Sequence, residues 1–224
     1  MGRPREHDEQ TREQLLAAAE RLVSEGGPDA LSVRRVAEEA GATTRAIYSI
    51  FGSKEGLIAA LAELAYDWLY SRVDRVPETD DPAADLVAIG LEVFRLFVRD
   101  HPALYRIAYQ RVVGLQPHPD LVATRERTFV QLQERVRRLK DAGLLDQKPV
   151  VEATVELIAM FEGLANAELR GRVLPTIPAG GEDHAWREGL ATLLRGLTAT
   201  PVQEGRHGDV AQAQDSRGPL RPYN

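Results

Sequence analysis

The residues with the most distinctive chemistry lie between positions 32 and 54. Lysine and arginine outnumber glutamate there by four to two, a local net charge of +2, whereas the whole 224-residue chain carries −6 at pH 7. Arginine can form a bidentate pair with guanine O6 and N7, and hydroxyl side chains can bind phosphate oxygens. The charged residues of this segment are Arg34, Arg35, Arg45, Lys54, Glu38 and Glu39. This composition predicts a surface that contacts nucleic acid.

The pattern around these residues predicts two short helices joined by a tight turn. Ser32 is placed to cap a first helix that continues through Ala40. Gly41 then supplies a turn in which a positive φ is unstrained, and Thr43 can cap a second helix to about Phe51. This order is typical of a helix-turn-helix, whose second helix enters the major groove of DNA.

The second helix divides into an apolar face and a polar face. The apolar residues, expected to pack inward, are Ala46, Ile47, Ile50 and Phe51. The residues left facing outward are Thr44, Arg45, Tyr48 and Ser49. Two plainer interpretations stay open. Arg34 and Arg35 could pair with Glu38 and Glu39 as a solvated helix face, and Tyr48 could be a partly buried core residue.

The order and spacing of these residues resemble the DNA-binding domain of the TetR/AcrR family of bacterial transcriptional regulators, over about residues 11–61. The matching motifs are residues 31–41 (LSVRRVAEEAG), Ile47-Tyr48, Phe51 and residues 53–57 (SKEGL). The resemblance implies a recognition surface at Thr44, Arg45 and Tyr48, and a guanine contact at Arg34. One position departs from the pattern, since Ile50 stands where many members have a histidine, so a polar backbone contact is expected to be missing.

The outward face and the resemblance together assign DNA contacts to a defined set of residues. Phosphate contacts are implied at Ser32, Thr43, Tyr48 and Lys54, and Arg3 and Arg5 could add a basic arm. The full predicted set is Ser32, Arg34, Thr43, Thr44, Arg45, Tyr48, Ser49 and Lys54. The expected partner is a palindromic double-stranded operator, bound by a homodimer.

Helical periodicity continues through most of the chain, so we predict an all-α fold of about nine helices. Thr11 and Gln14 fit a capping box for the first helix, and Ser53 can cap a long fourth helix. The expected domains are a helix-turn-helix domain at 1–55 with a basic or flexible arm at 1–10, a helical ligand-binding and dimerisation domain at 56–199, and a disordered tail at 200–224. The nine predicted helices span 11–26, 32–40, 43–51, 54–76, 83–99, 103–113, 120–142, 149–170 and 184–197.

The helical body is expected to bind a small molecule and to pair two subunits. Pockets are lined by apolar and aromatic side chains with a few polar groups, although any such residue is also a normal core residue. The candidate pocket residues are Trp68, Phe94, Phe97, Tyr105, Tyr109, Phe129 and Phe161. The candidate dimer residues, on the last two helices, are Leu157, Leu164, Ala167, Trp186, Leu190 and Leu193. The alternative is that these helices are ordinary core helices within one chain.

Several classes of protein are excluded or disfavoured by the residues that the chain lacks. It has no cysteine, and its five histidines form no pair with metal-ligand spacing, so we expect no metal site and no cofactor. No apolar run is long enough to span a bilayer, so we expect a cytoplasmic protein without a membrane partner.

The predicted function is a ligand-responsive regulator, most simply a repressor released by an unidentified small molecule. The alternative is an all-α small-molecule-binding protein or enzyme that does not bind DNA.

Overall fold

The computed structural model describes residues 3–111, 118–145, 148–171 and 181–198. All regular structure in these ranges is helical, and the described residues form no strand. No helix within them is both long and apolar enough to cross a membrane. The tail predicted at 200–224 lies outside the described residues.

The described residues form nine helices, which confirms the all-α prediction. A short 3-10 turn, Pro28–Ala30, separates the first two. Helices α5 and α6 each contain a π-helical stretch, Ile89–Arg95 and Ile107–Arg111 respectively. The bounds are α1 Arg3–Gly26, α2 Val33–Glu39, α3 Thr44–Phe51, α4 Lys54–Val73, α5 Pro82–Ala88 continuing through Ile89–Arg95 to Leu96–Asp100, α6 Pro102–Arg106 continuing through Ile107–Arg111, α7 Pro119–Asp141, α8 Val150–Leu169 and α9 Gly181–Thr198.

The N-terminal arm is the clearest difference from the sequence prediction. Helix α1 begins at Arg3, so Thr11 lies inside the helix rather than at its cap, and the segment 1–10 is helical from Arg3 onward. The capping box of Thr11 and Gln14 is a local signal, and a helix that continues on its N-terminal side overrides it. The prediction of a flexible arm was therefore wrong over the described residues.

Helices α1, α2 and α3 pack around the N-terminal half of α4 and form the head of the molecule. Leu15 of α1, Val36 of α2, Ile47 of α3 and Leu57 of α4 are fully buried in this small core. Each such side chain contributes about 1.5–3 kcal/mol when it is removed from water. Because α4 supplies part of this core, α1, α2 and α3 depend on it for stability.

The rest of α4 packs along α7 and joins the head to the body. Arg135 of α7 is almost completely buried, and its Nη2 donates hydrogen bonds to the carbonyl oxygens of Val73 (2.9 Å) and Val76 (2.8 Å). Val73 is the last residue of α4 and Val76 lies three residues beyond it, in the region where backbone carbonyls no longer accept from amides of the helix. The buried arginine thereby fixes the C-terminal end of α4 to the body.

Helices α8 and α9 pack against each other and against α5. A β-carbon added at Gly90 of α5 would lie 2.3 Å from a side-chain carbon of Leu190 and 2.8 Å from one of Phe161. A larger residue at position 90 would therefore force the side chains of Leu190 and Phe161 to shift. The side chain of Trp186 is 1% exposed, and its indole N–H donates to Glu168 Oε2 at 2.6 Å.

Candidate DNA-binding surface and ligand cavity

The turn between α2 and α3 has the geometry that a helix-turn-helix requires. Gly41 has φ +64°, a conformation that residues with a side chain rarely adopt. The amide of Ala42 donates to the carbonyl of Ala37 (2.9 Å), and that of Gly41 donates to Glu38 (3.2 Å), so the last carbonyls of α2 are satisfied. The chain leaves α2 sharply after Glu39, and α3 begins at Thr44, three residues after Gly41.

Three hydroxyl side chains cap the N-termini of α2, α3 and α4, as predicted. Ser32 accepts from the amide of Arg35 (3.2 Å), Thr43 from Ala46 (3.2 Å) and Ser53 from Gly56 (3.0 Å). Each hydroxyl oxygen is thus occupied as an acceptor, while its own proton stays available for a phosphate oxygen. Helix N-termini also present unpaired amides that favour anions.

Helix α3 divides into the two faces that its sequence predicts. Ile47 is fully buried, whereas Thr44, Arg45, Tyr48 and Ser49 are exposed. The Tyr48 side chain is 54% exposed, the largest exposure among the large hydrophobic and aromatic residues that the structure describes, shared only with Val155. The interpretation of Tyr48 as a core residue was therefore wrong.

The arginines of α2 are engaged in different contacts. Arg34 Nε donates to Glu38 Oε1 at 2.8 Å, and this hydrogen bond raises the pKa of Arg34. Arg35 donates instead to the carbonyl of Ala30 (3.3 Å), and Glu39 pairs with Arg21 of α1 (3.1 Å). The Arg34–Glu38 pair is the plain arrangement foreseen for a solvated face, whereas Arg35 and Glu39 each link α2 to another part of the head.

Lys54 and Ile50 are both half-buried at the edge of the surface. Lys54 is the first residue of α4, directly after the Ser53 cap. Ile50 packs against the hydrophobic core. The predicted arm residues Arg3 and Arg5 belong to α1, and the structure does not describe their side chains.

The body encloses a cavity of about 430 Å³ between α4, α5, α6, α7 and α8. Four of the predicted pocket residues line it: Phe94, Tyr109, Phe129 and Phe161. The sequence reasoning missed further lining residues because neighbouring turns of one helix carry similar apolar types. Those missed are Tyr66, Leu69, Val73, Ile89, Val93, Ala108, Arg125, Thr128, Leu132, Val155 and Ile158. Glu162 adds a carboxyl group to the lining.

Three predicted pocket residues lie outside this lining, which corrects the sequence prediction. Trp68 packs against Phe97 (5.3 Å between ring centroids) and His101 (5.6 Å), in an aromatic cluster beside the cavity. Tyr105 is fully buried and stacks behind Tyr109 at 5.1 Å. Tyr105 therefore packs behind the cavity wall, whereas Trp68 and Phe97 belong to the cluster with His101.

Residues 15–61 match the bacterial regulatory proteins of the tetR family. Residues 86–193 match the tetracyclin repressor-like C-terminal domain. The two segments together span more than half of the chain. The chain belongs to the TetR family. It is therefore a DNA-binding regulator with a helix-turn-helix, and the alternative of an enzyme is rejected.

This TetR-family protein is similar in sequence to two named relatives and in structure to a third protein. The nucleoid occlusion factor SlmA of Photobacterium profundum is 25% identical over 183 residues, 79% of this chain and 92% of that protein. The HTH-type transcriptional repressor KstR2 of Mycolicibacterium smegmatis is 28% identical over 119 residues, 52% of this chain and 58% of KstR2. A crystal structure of TetR-Q116A from Acinetobacter baumannii in complex with minocycline has a TM-score of 0.59 and 25% identity, covering 83% and 97% of the two chains.

The cavity of this TetR-family protein is mostly apolar but contains several polar groups. Burial raises the pKa of Tyr109 well above its usual value and raises that of Tyr66, so both phenols are neutral. Burial also raises the pKa of Glu162, and the charge of Arg125 opposes this shift. An apolar molecule that carries a polar group would find both an aromatic wall and hydrogen-bonding partners here.

The predicted dimer residues of this family member separate into two groups. Leu157, Trp186 and Leu190 are at most 1% exposed within the single chain, so they form its own core and do not present a surface. Leu164, Ala167 and Leu193 are only half-buried. The prediction that Leu157, Trp186 and Leu190 lie at a dimer interface is therefore corrected. The indole of Trp186 donates to Glu168, and Leu190 packs near Gly90.

Proposed function

We propose that this TetR-family protein is a homodimeric transcriptional repressor that binds a palindromic operator and is released by a small molecule. The observation that carries the proposal is the polar, exposed face of α3, which is held outward by the buried Ile47 behind it. KstR2 is named as a transcriptional repressor, which supports that sign of regulation. As a protein that acts on bacterial DNA, it would work in the cytoplasm.

The proposed DNA contacts use two kinds of chemistry. Arg45, Tyr48, Thr44 and Ser49 would face the major groove, with Arg34 reaching a guanine edge from α2. Ser32, Thr43 and Lys54 would hold the flanking phosphates from three successive helix starts. The N-terminal cap geometry of Ser32 and Thr43 supports this assignment, because their hydroxyl protons are not used within the caps.

A homodimer is proposed because one recognition helix reads only half of a palindrome. The half-buried residues Leu164, Ala167 and Leu193 on α8 and α9 would form the centre of the interface. We propose the division at residues 55 and 56 as the boundary between head and body, although α4 runs across it.

Release by a ligand would proceed through α4. This helix begins at the Ser53 cap beside α3, and its residues Tyr66, Leu69 and Val73 line the cavity. A ligand that prefers a shifted position of α4 would also change the spacing of the two recognition helices. A coupling of about 1–3 kcal/mol gives about a 5- to 150-fold change in operator affinity. The minocycline complex of the related TetR supports a small molecule as the effector.

The proposal is tested by selecting genomic DNA fragments on the purified protein. We expect a few fragments that share a palindrome, and protection of two half-sites about one helical turn apart in a footprint. Binding should weaken steeply as salt rises, because phosphate contacts release counterions. Repression is tested by placing the selected fragment before a reporter gene. If the retained DNA fragments share no sequence, binding to a specific operator is contradicted. If the reporter gene is activated, repression is contradicted.

A further inference from the structure

Three potential metal ligands meet where α4 passes the N-terminus of α7. Glu63 lies in the middle of α4, and His118 and Asp120 flank Pro119 at the start of α7. One ligand atom from each residue lies within 4.8 Å of the others. His118 Nδ1 and Glu63 Oε1 are 3.5 Å apart. These residues belong neither to the cavity lining nor to the DNA-binding surface.

The atoms that face each other in this cluster lack ordinary partners. Glu63 Oε1 and His118 Nδ1 are both buried, and neither has a hydrogen-bond partner. Leaving a buried polar atom unsatisfied is costly, so such atoms need an explanation. The other carboxylate oxygen, Oε2, lies 3.8 Å from Arg12 Nη2 of α1. Glu63 therefore presents one oxygen to the head and the second to His118.

The separation of these two atoms suits a shared cation. Zinc binds histidine nitrogen and carboxylate oxygen at about 2.0–2.2 Å, so two ligands at a tetrahedral angle lie about 3.4 Å apart. The other charged residues close to Glu63 are Arg12 of α1 and Asp67, one turn further along α4. Asp67 is engaged elsewhere, with an oxygen 2.5 Å from Arg127 Nη2.

We propose that Glu63, His118 and Asp120 form a binding site for a divalent transition-metal ion of the zinc type. Imidazole and carboxylate ligands suit such ions, and three protein ligands leave a position for water. Asp120 is exposed and can adjust, while Pro119 restricts the backbone between the two ligands of α7. Spacing along the chain could not reveal this site, because Glu63 is distant in sequence from the other two ligands.

A bound ion would have a structural consequence for the two parts of the molecule. It would tie α4, which joins head and body, to the first turn of α7. The ion would also lie close to Arg12 of α1, whose only described ion-pair partner is Glu63. The metal would therefore be placed between the DNA-binding head and the ligand-binding body, apart from the cavity.

The test is calorimetric titration of zinc chloride into the full-length protein after treatment with a chelator. We expect one ion per chain, and at least about tenfold weaker binding in Glu63→Gln and in His118→Asn. The matched control is Asp67→Asn, which removes the same charge one turn along α4 and should retain the wild-type affinity. Circular dichroism checks that each variant is folded. If Glu63→Gln does not fold, the affinity of His118→Asn alone tests the site. His118 is half-exposed and lies at a helix start, so we expect this variant to fold.

Cobalt chloride provides a second probe of the same ligands. Tetrahedral Co²⁺ should give visible absorption bands that both ligand variants lose and Asp67→Asn keeps. Absence of stoichiometric zinc binding by the wild type would overturn the proposal and leave His118 and Glu63 as an ion pair. Equal affinity in the wild type and both ligand variants would overturn it as well. Because no DNA is present, either failure leaves the proposed repressor function unaffected.

Discussion

Arg34 and Glu38 form an ion pair across one turn of α2, with Nε 2.8 Å from Oε1. Both side chains are exposed, Arg34 by 85% and Glu38 by 62%, and the pair lies on the helix that precedes α3. An exposed pair of this kind contributes little to stability. The proposed guanine contact would therefore cost little, because Arg34 would give up only a weak, solvent-exposed pair with Glu38.

The first prediction concerns this arginine. Arg34→Ala should weaken operator binding by about 10- to 100-fold and relax the preference at one base pair of each half-site, because a bidentate guanine contact is lost. The measurement is a competition assay with operators substituted one base pair at a time. Glu38→Gln is the matched control, and it should not weaken binding. A uniform loss across all substituted operators would indicate a phosphate contact instead.

The second prediction concerns the exposed face of α3. Arg45→Ala and Tyr48→Ala should each weaken operator binding, while the melting temperature stays close to that of the wild type because both side chains are exposed. Fluorescence anisotropy with labelled operator gives the affinity, and scanning calorimetry gives the stability. Lys140→Ala, an exposed cation in the last turn of α7, is the control. Wild-type affinity in both α3 variants would remove the recognition helix from its proposed role.

The head could be predicted from sequence because its signals are local. The caps Ser32, Thr43 and Ser53, the turn at Gly41 and the inward Ile47 all follow from residues within a few positions of each other. Thr11 is the exception, since the helix continues past it. A local capping signal cannot report what the preceding residues do.

The body could be predicted only as a set of helices. Whether Trp68 or Tyr66 faces the cavity depends on how α4 is rotated against α7, and one position in the sequence changes that direction by about 100°. The π-helical stretch Ile89–Arg95 shifts the phase of α5 further, which periodicity of 3.6 residues does not anticipate. The burial of Trp186 likewise depends on a partner, Glu168, that lies on another helix.

The third prediction uses the raised pKa of Glu162 in the cavity wall. Burial raises this pKa above 4.5, its usual value. The folded state therefore holds the proton more tightly than the unfolded chain, and stability falls as the pH rises through the folded-state pKa. Glu162→Gln should gain melting temperature relative to the wild type as the pH increases from 4.5 toward neutrality.

The measurement is thermal unfolding of both proteins across this pH range. Glu152→Gln is the control on the same helix, because Glu152 is exposed in the first turn of α8, where its charge favours the helix. That variant should gain no stability at neutral pH. A constant difference between Glu162→Gln and the wild type at every pH would contradict the raised pKa.

The fourth prediction concerns the close approach of α3 and α4. A β-carbon added at Gly56 would lie 1.9 Å from the carbonyl oxygen of Phe51 and 3.1 Å from its carbonyl carbon. Backbone atoms cannot move aside as the end of a flexible side chain can, so Gly56→Ala should destabilise the protein by about 2 kcal/mol or more. Operator binding should be lost with the position of α3.

Chemical denaturation gives the free energy of unfolding for this variant. The matched control is Gly196→Ala in α9, where an added β-carbon meets no atom within 4 Å. Alanine has a higher helix propensity than glycine, so this control should be stabilised by about 0.5–1 kcal/mol. Equal stability of Gly56→Ala and Gly196→Ala would show that α3 and α4 do not approach as closely as described, and the recognition helix would then lack the support that fixes its angle.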